Sequence, residues 1–262
     1  MIRFSANLGF LWTDRPLPDA IYAAAQAGFD AVECHWPYTT PAEQVAQALA
    51  DTKLRMISLN TVRGNPEAGD NGLAALPGRE AEAMRAIEQA ITYGAAIGAG
   101  AIHVMAGVAA GPEAHHTFIT NLQMACEMAK AEDMIVLIEP LNRHDAPGYF
   151  LGTTEQARAV IAEAAAPNLR LMFDCYHVGR TEGDVVIRLQ NLQDIIGHIQ
   201  FASVPDRGTP DHGAVDYREV FAVIEEMQWT GPLGAEYRPV GDADSSLGWM
   251  DRLRYPSRCP GK

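Results

Sequence analysis

Short apolar runs alternate along this chain with longer segments whose apolar positions recur at helical spacing. The runs, in order, are IRFSAN, DAVECH, LRMISLN, AIHVMAG, IVLIEP, LRLMFDCYH, IIGHIQFA and PLGAEYRP. A continuous β-branched run bounded by a breaker predicts a strand buried on both faces, as in a parallel sheet. IVLIEP is the clearest case. Pro140 removes a backbone donor and holds Glu139 extended, so the strand ends with a carboxylate at its tip. Helices are predicted from Pro18 to Ala27, from Pro41, and over Arg79–Ile97, Ala114–Glu132, Thr153–Ala165 and Thr181–Leu192. Two more run from the Asp216 cap to Met227 and from Ala243 to Leu253. Gly28 and Gly98 stop two of them in the left-handed manner.

Eight strands alternating with eight helical patterns mean a parallel α/β sheet. The 262 residues match the ~250 of one closed (β/α)8 TIM barrel. No composition shift or linker divides the chain, so a single barrel over residues 1–254 is expected, with a loose tail at 255–262. An open doubly wound sheet would need a glycine-rich phosphate turn after its first strand, and ANLGFLW is not one. The pattern fails once, over Thr61–Gly78. A glycine-rich segment of this length in a compact domain predicts a lid or a surface excursion.

The strand ends then acquire a chemical meaning. Glu139, Asp174, Gln200 and Glu236 all sit at the C-terminal tips of predicted strands, spaced 35, 26 and 36 residues apart. In a barrel those tips form one mouth, where active sites lie. One acidic residue at a strand end is commonly a helix cap; four oxygen-bearing side chains at the same station point to a shared site. Three carboxylates and an amide make a hard-oxygen shell suited to Mg2+ or Mn2+. Two glutamates facing each other across such an ion suit proton transfer between adjacent carbons through an enediolate. They also suit activation of water for hydrolysis. His198 points the same way as Gln200, one pleat deeper, as a ligand, an orienting group or packed interior. His177 can hydrogen-bond a substrate oxygen or merely cap backbone. Arg207 can bind a substrate carboxylate, with Arg63 and Arg238 as rivals and a surface ion pair as the ordinary alternative for each.

Charge and cysteine content narrow the partners. The balance is 20 basic to 33 acidic residues, net −13, which disfavours nucleic acid and a barrel nuclease. Asp206 and Asp211 in the loop after the seventh strand disfavour a phosphorylated substrate. Cys34, Cys126, Cys175 and Cys259 form no CxxC pair and read as buried thiols in a reducing compartment. MIRFSANLGFLW lacks the length and flanks of a signal peptide, and no apolar run approaches a membrane span. A cytoplasmic location, no membrane partner and, as in many barrels, a homo-oligomer are the expectations.

The strings MIRFSANL, GREAE, LIEPLN, FDCYH, GHIQFA, the PDRG loop and GAEYRP resemble the hydroxypyruvate isomerase family, among the xylose isomerase-like barrels. The resemblance runs from Ile2 to about Met250. It implies Glu139 and Glu236 as the proton-transferring pair, and Glu139, Asp174, Gln200 and Glu236 as the metal quartet. It implies an aldose–ketose isomerase acting on a small oxo acid or sugar acid, with hydroxypyruvate and tartronate semialdehyde as the leading pair. Relatives isomerising 2-oxo-tetronates share these motifs. Ketose 3-epimerases are similar but usually carry histidine at the Gln200 station. A dehydratase in the same site and a non-catalytic sugar-acid sensor complete the alternatives; paired glutamates argue against the sensor.

Overall fold

A computed structural model describes residues 1–254. Eight parallel strands close into a barrel in simple sequence order. They are β1 (Phe4–Asn7), β2 (Ala31–Cys34), β3 (Met56–Asn60), β4 (Ala101–His103), β5 (Ile135–Ile138), β6 (Leu169–Asp174), β7 (Ile196–Phe201) and β8 (Leu233–Ala235). The surrounding helices are α1 (Leu17–Gln26), α2 (Ala42–Thr52), α3 (Glu80–Ile97), α4 (Gly111–Ala131), α5 (Thr154–Ala164), α6 (Cys175–Thr181), α7 (Val185–Leu192) and α8 (Tyr217–Glu226). A 3-10 turn over Asp244–Trp249 leads into α9 (Met250–Leu253), where a single helix from Ala243 was expected. The expected tail and Cys259 lie outside the described residues. Cys34, Cys126 and Cys175 are free and buried. Among the described residues, no helix is long and apolar enough to cross a membrane.

Side-chain alternation sorts the strands into two environments. Phe4, Leu171, Phe173, Ile199 and Phe201 belong to the main apolar core with the helices. The intervening residues supply a small separate apolar cluster of Ala101, Leu137 and Met172. One pleat toward the C-terminal ends, those same strands carry His103, Glu139 and Asp174, all buried. The barrel interior therefore changes from apolar to polar along its length, and the polar end is the mouth.

Two expected boundaries move. The predicted strand LRLMFDCYH stops at Asp174, whose Oδ1 accepts the Tyr176 N–H at 2.8 Å and starts α6 at Cys175. A side-chain oxygen that satisfies a free first-turn donor favours helix there over more strand. The helix expected over Thr181–Leu192 starts later, as α7 at Val185: α6 ends at Thr181, and Gly183 and Asp184 take φ of +70° and +47° between the two helices.

The Thr61–Gly78 segment is not a free flap. Its second half is buried at Leu73, Ala74 and Ala75. The Leu73 and Ala74 N–H groups donate to Met105 O, and Ala75 N–H donates to Ala106 O. Asn121 Nδ2 donates to Ala74 O at 2.8 Å, and Arg79 clamps Asp70 at 2.8 Å. The exposed parts are residues 64–69, around the short turn Pro66–Ala68, and Pro77 and Gly78 at the segment's end. Brief digestion with a protease of broad specificity should therefore cut within 64–70 and spare 71–76. Early cuts at 73–75, read by mass spectrometry, would show the fastening to be weak and restore the lid.

Candidate active site

The four strand-tip residues arrive at the mouth by different local means. Glu139 is carried one residue past β5 and held there by Pro140. Asp174 is the last residue of β6. Gln200 pairs with it in register on β7. Glu236 follows β8, and its N–H donates to Phe201 O at 3.1 Å. All four are buried. Glu139 Oε1, Asp174 Oδ2, Gln200 Oε1 and Glu236 Oε2 share one property: none has a hydrogen-bond partner among the described residues. Glu236 Oε2 lies 2.8 Å from Arg207 Nη2, an ion pair without hydrogen-bond alignment. A buried oxygen without a donor costs about 1–3 kcal/mol. Such oxygens are ligands of the kind a hard divalent cation takes, although Glu236 does not join Glu139 and Asp174 in a group of ligand atoms within 4.8 Å.

Glu139, Asp174 and His177 offer potential ligand atoms within 4.8 Å of one another. His177, however, is held as a proton donor. Its Nδ1 accepts from the Asn142 N–H at 3.0 Å and lies 2.7 Å from Asn142 Nδ2. Asn142 Oδ1 already accepts from the His144 and Asp145 N–H groups, so the amide nitrogen is the atom facing His177. With Nδ1 accepting, the neutral ring carries its proton on Nε2. That nitrogen stands 3.8 Å from Glu139 Oε1 and 3.6 Å from Asp174 Oδ2. It has a hydrogen to give to an incoming oxygen and no lone pair for an ion. Burial, reinforced by Arg207, pushes its pKa down to about 3, so the ring is neutral at physiological pH.

Arg207 lies inside the site, among its carboxylates. It is buried, with its guanidinium between the rings of Phe10 and Tyr176, 4.7 and 4.9 Å from their centroids. One face of its fork meets Glu236, with Asp174 Oδ2 at 3.7 Å. Of the rivals, Arg63 stacks on Trp36 and donates to Asn71, while Arg238 lies 5.8 Å from the same Phe10 ring but is exposed.

The charges at the mouth are unevenly compensated. Burial raises the Glu139 carboxyl well above its usual range, and the neighbouring Glu236 and Asp174 charges add to this. Burial and Glu236 raise Asp174 likewise. Burial would raise Glu236 too, but Arg207 and His35 outweigh it and hold this carboxyl well below its usual range.

Several site residues carried no role in the sequence reading. His35 Nε2 meets Glu236 Oε1 at 3.0 Å. A Cβ on Gly9 would fall 2.2 Å from the His35 ring, so glycine there is what lets the ring reach Glu236. His103 Nδ1 lies 3.7 Å from Glu139 Oε2, and burial lowers its pKa to about 4. Asn142 sets the His177 tautomer. His35 closes the run DAVECH, so its position at a strand tip was a usable signal; His103 lies inside the run AIHVMAG and reaches the tip because β4 ends there. His198 is resolved as interior: its Nε2 bonds Glu33 Oε2 at 2.6 Å.

A family model described as xylose isomerase-like TIM barrel matches residues 21–253. A 2-oxo-tetronate isomerase of Cupriavidus necator is 41% identical, covering 95% of this chain and 98% of its own. A hydroxypyruvate isomerase of Escherichia coli is 37% identical, covering 97% and 100%. A crystal structure described as AP endonuclease, family 2 from Brucella melitensis superposes with a TM-score of 0.93 at 33% identity, covering 96% and 99%. A D-allulose 3-epimerase from Methylomonas sp. has a TM-score of 0.82 at 19% identity, covering 97% and 98%, a likeness of fold.

Proposed function

Since the chain belongs to the hydroxypyruvate isomerase family of xylose isomerase-like TIM barrels and is an isomerase, we propose that it interconverts hydroxypyruvate and tartronate semialdehyde by proton transfer between Glu139 and Glu236. The observation that supports this is a set of four buried oxygens without hydrogen-bond donors at the strand ends of one mouth, two of them on the glutamates that follow β5 and β8.

In hydroxypyruvate the C3–H and O3–H bonds break, and C2–H and O2–H bonds form. One glutamate removes the C3 proton, the enediolate spreads its charge over O2 and O3, and the other glutamate protonates C2. The hydroxyl proton passes from O3 to O2. The glutamate that acts as base in one direction is the acid in the other. His177 Nε2–H donates to a substrate oxygen. Arg207, pinned between two rings, offers a planar fork to the substrate carboxylate. Glu139, Asp174, Gln200 and Glu236 would hold a Mg2+ or Mn2+ ion, whose chemistry is to polarise the carbonyl and stabilise enediolate charge.

A four-carbon 2-oxo-tetronate is the rival substrate, favoured by the identity of the Cupriavidus relative; it would use the same residues. The test is proton NMR in D2O on both acids. Solvent deuterium entering C2 of the three-carbon product, with the higher kcat/KM on hydroxypyruvate, is the expected result. A higher kcat/KM on the 2-oxo-tetronate would transfer the proposal to the four-carbon acid. Turnover of neither acid, with no deuterium exchange, would remove enediol isomerisation of these substrates.

A further inference from the structure

Beneath the mouth lies a carboxylate whose hydrogen bonds include one member of the metal-type quartet, Gln200. Glu33, in β2, is 1% exposed. Its Oε2 accepts from Ser5 Oγ at 3.1 Å and meets His198 Nε2 at 2.6 Å. Its Oε1 accepts from Asn7 Nδ2 at 3.0 Å and from Gln200 Nε2 at 2.8 Å. Two contacts to each oxygen use all four lone-pair sites of a carboxylate. The neighbours confirm the direction of these bonds. Asn7 Oδ1 accepts the Gly9 N–H at 2.9 Å, so its amide nitrogen is the end facing Glu33.

Gln200 is the only group in this cradle that also belongs to the metal-type quartet. An amide has a donor end and an acceptor end, and they point in opposite directions. Glu33 takes the donor end. The acceptor end, Oε1, is then the buried oxygen left without a partner. Reversed, the amide would set two oxygens against each other at Glu33 and present N–H hydrogens to a cation. The backbone makes room for the contact. Gly234 on β8 pairs with Gln200, and a Cβ there would fall 2.6 Å from Glu33 Oε1 and 2.8 Å from Gln200 Cγ.

We infer that Glu33 is a positioning residue: by binding the Gln200 amide nitrogen it turns Gln200 Oε1 toward the cation site. The inference rests on the reading that the quartet holds a divalent ion. Outer partners of metal ligands typically contribute 10–100-fold in affinity. Glu33→Gln keeps the volume but brings an N–H of its own, and so allows the Gln200 amide to reverse.

The test is Mn2+ binding to metal-stripped protein, read by the electron paramagnetic resonance of free Mn2+ and needing no turnover. Glu33→Gln should weaken Mn2+ about 10–100-fold. Gln200→Glu should also weaken it, although a carboxylate is the stronger ligand, because it has no N–H for Glu33 and sets two carboxylates against each other. The double substitution Glu33→Gln/Gln200→Glu exchanges donor and acceptor, and should restore binding to the parent level or better. A merely structural role for Glu33 predicts a double variant no better than the singles, and that result overturns the inference. So does parental affinity in folded Glu33→Gln. If the singles fail to fold, the unmutated chain still decides. With amide-labelled glutamine, the Gln200 carbonyl carbon should shift on Mg2+ addition while its Nε2 hydrogens stay slow to exchange; a resonance indifferent to Mg2+ overturns the inference. Absence of Mn2+ binding by the unmutated chain is a separate outcome: it overturns the metal reading itself, and the positioning role with it.

Discussion

Glu139→Gln and Glu236→Gln should each lower turnover on the oxo acid by about 10²–10⁴-fold, the usual contribution of a positioned acid or base. The substitutions keep shape and remove only the ability to exchange a proton. Their effects on stability should differ, which separates catalysis from folding. Glu139 has its carboxyl raised by burial and by neighbouring like charges. Neutralising it relieves that repulsion, so Tm of the metal-free protein should hold or rise. Glu236 faces Arg207 at 2.8 Å and His35 at 3.0 Å. Its neutralisation leaves a buried guanidinium short of its nearest charge, so Tm should fall. The double variant should be little slower than the slower single, because residues acting as a unit are not additive. Near-normal turnover in either folded single variant would sink the paired-glutamate mechanism, and additive losses would show two independent groups instead.

Much of this site was legible because a barrel converts sequence position into place. A charge at the end of an apolar run has one location in a closed parallel ring, and Glu139, Asp174, Gln200 and Glu236 all reach the mouth. What was not legible depends on partners distant in the chain. In the run DAVECH, Glu33 reads only as an acidic residue near a strand tip. Its role follows from Gln200 and His198, which meet it only when β2 and β7 face the same interior. Asp174 ends its strand because one oxygen caps the next helix. CYH, with two aromatic rings, reads as more strand until that cap is recognised. The glycines after β3 predict a lid or a surface excursion, yet the segment contains LAAL, an apolar string fastened to the backbone just past the β4 tip. His177, expected at the end of a strand, stands on α6 beside Asp174, and its proton is assigned only through Asn142, 35 residues away.

Removing divalent ions should lower activity at least as far as either glutamate substitution, and adding Mn2+ or Mg2+ should restore it. The expectation follows from the four oxygens without donors. Among the described residues, no cationic side chain lies as close to Glu139 or Asp174 as Arg207 does to Glu236. A cation satisfies several of these oxygens at once and cancels repulsion that the chain alone leaves standing. Binding to the folded state alone stabilises it by ~2.7 kcal/mol when the free ion is at a hundred times its Kd. For a chain of this size ~1 kcal/mol moves Tm by about 2–4 °C, so a rise of roughly 5–11 °C is expected on adding Mn2+ to stripped protein. The rise should shrink in Asp174→Asn, which keeps an oxygen but removes the charge. Gln200→Glu tests the other side, where extra charge brings no gain because Glu33 opposes it. Full turnover in protein shown by elemental analysis to be metal-free would take the ion out of the reaction. If Tm were also indifferent to Mn2+ and Mg2+, the four oxygens would have to be satisfied by water or by the substrate's own hydroxyls.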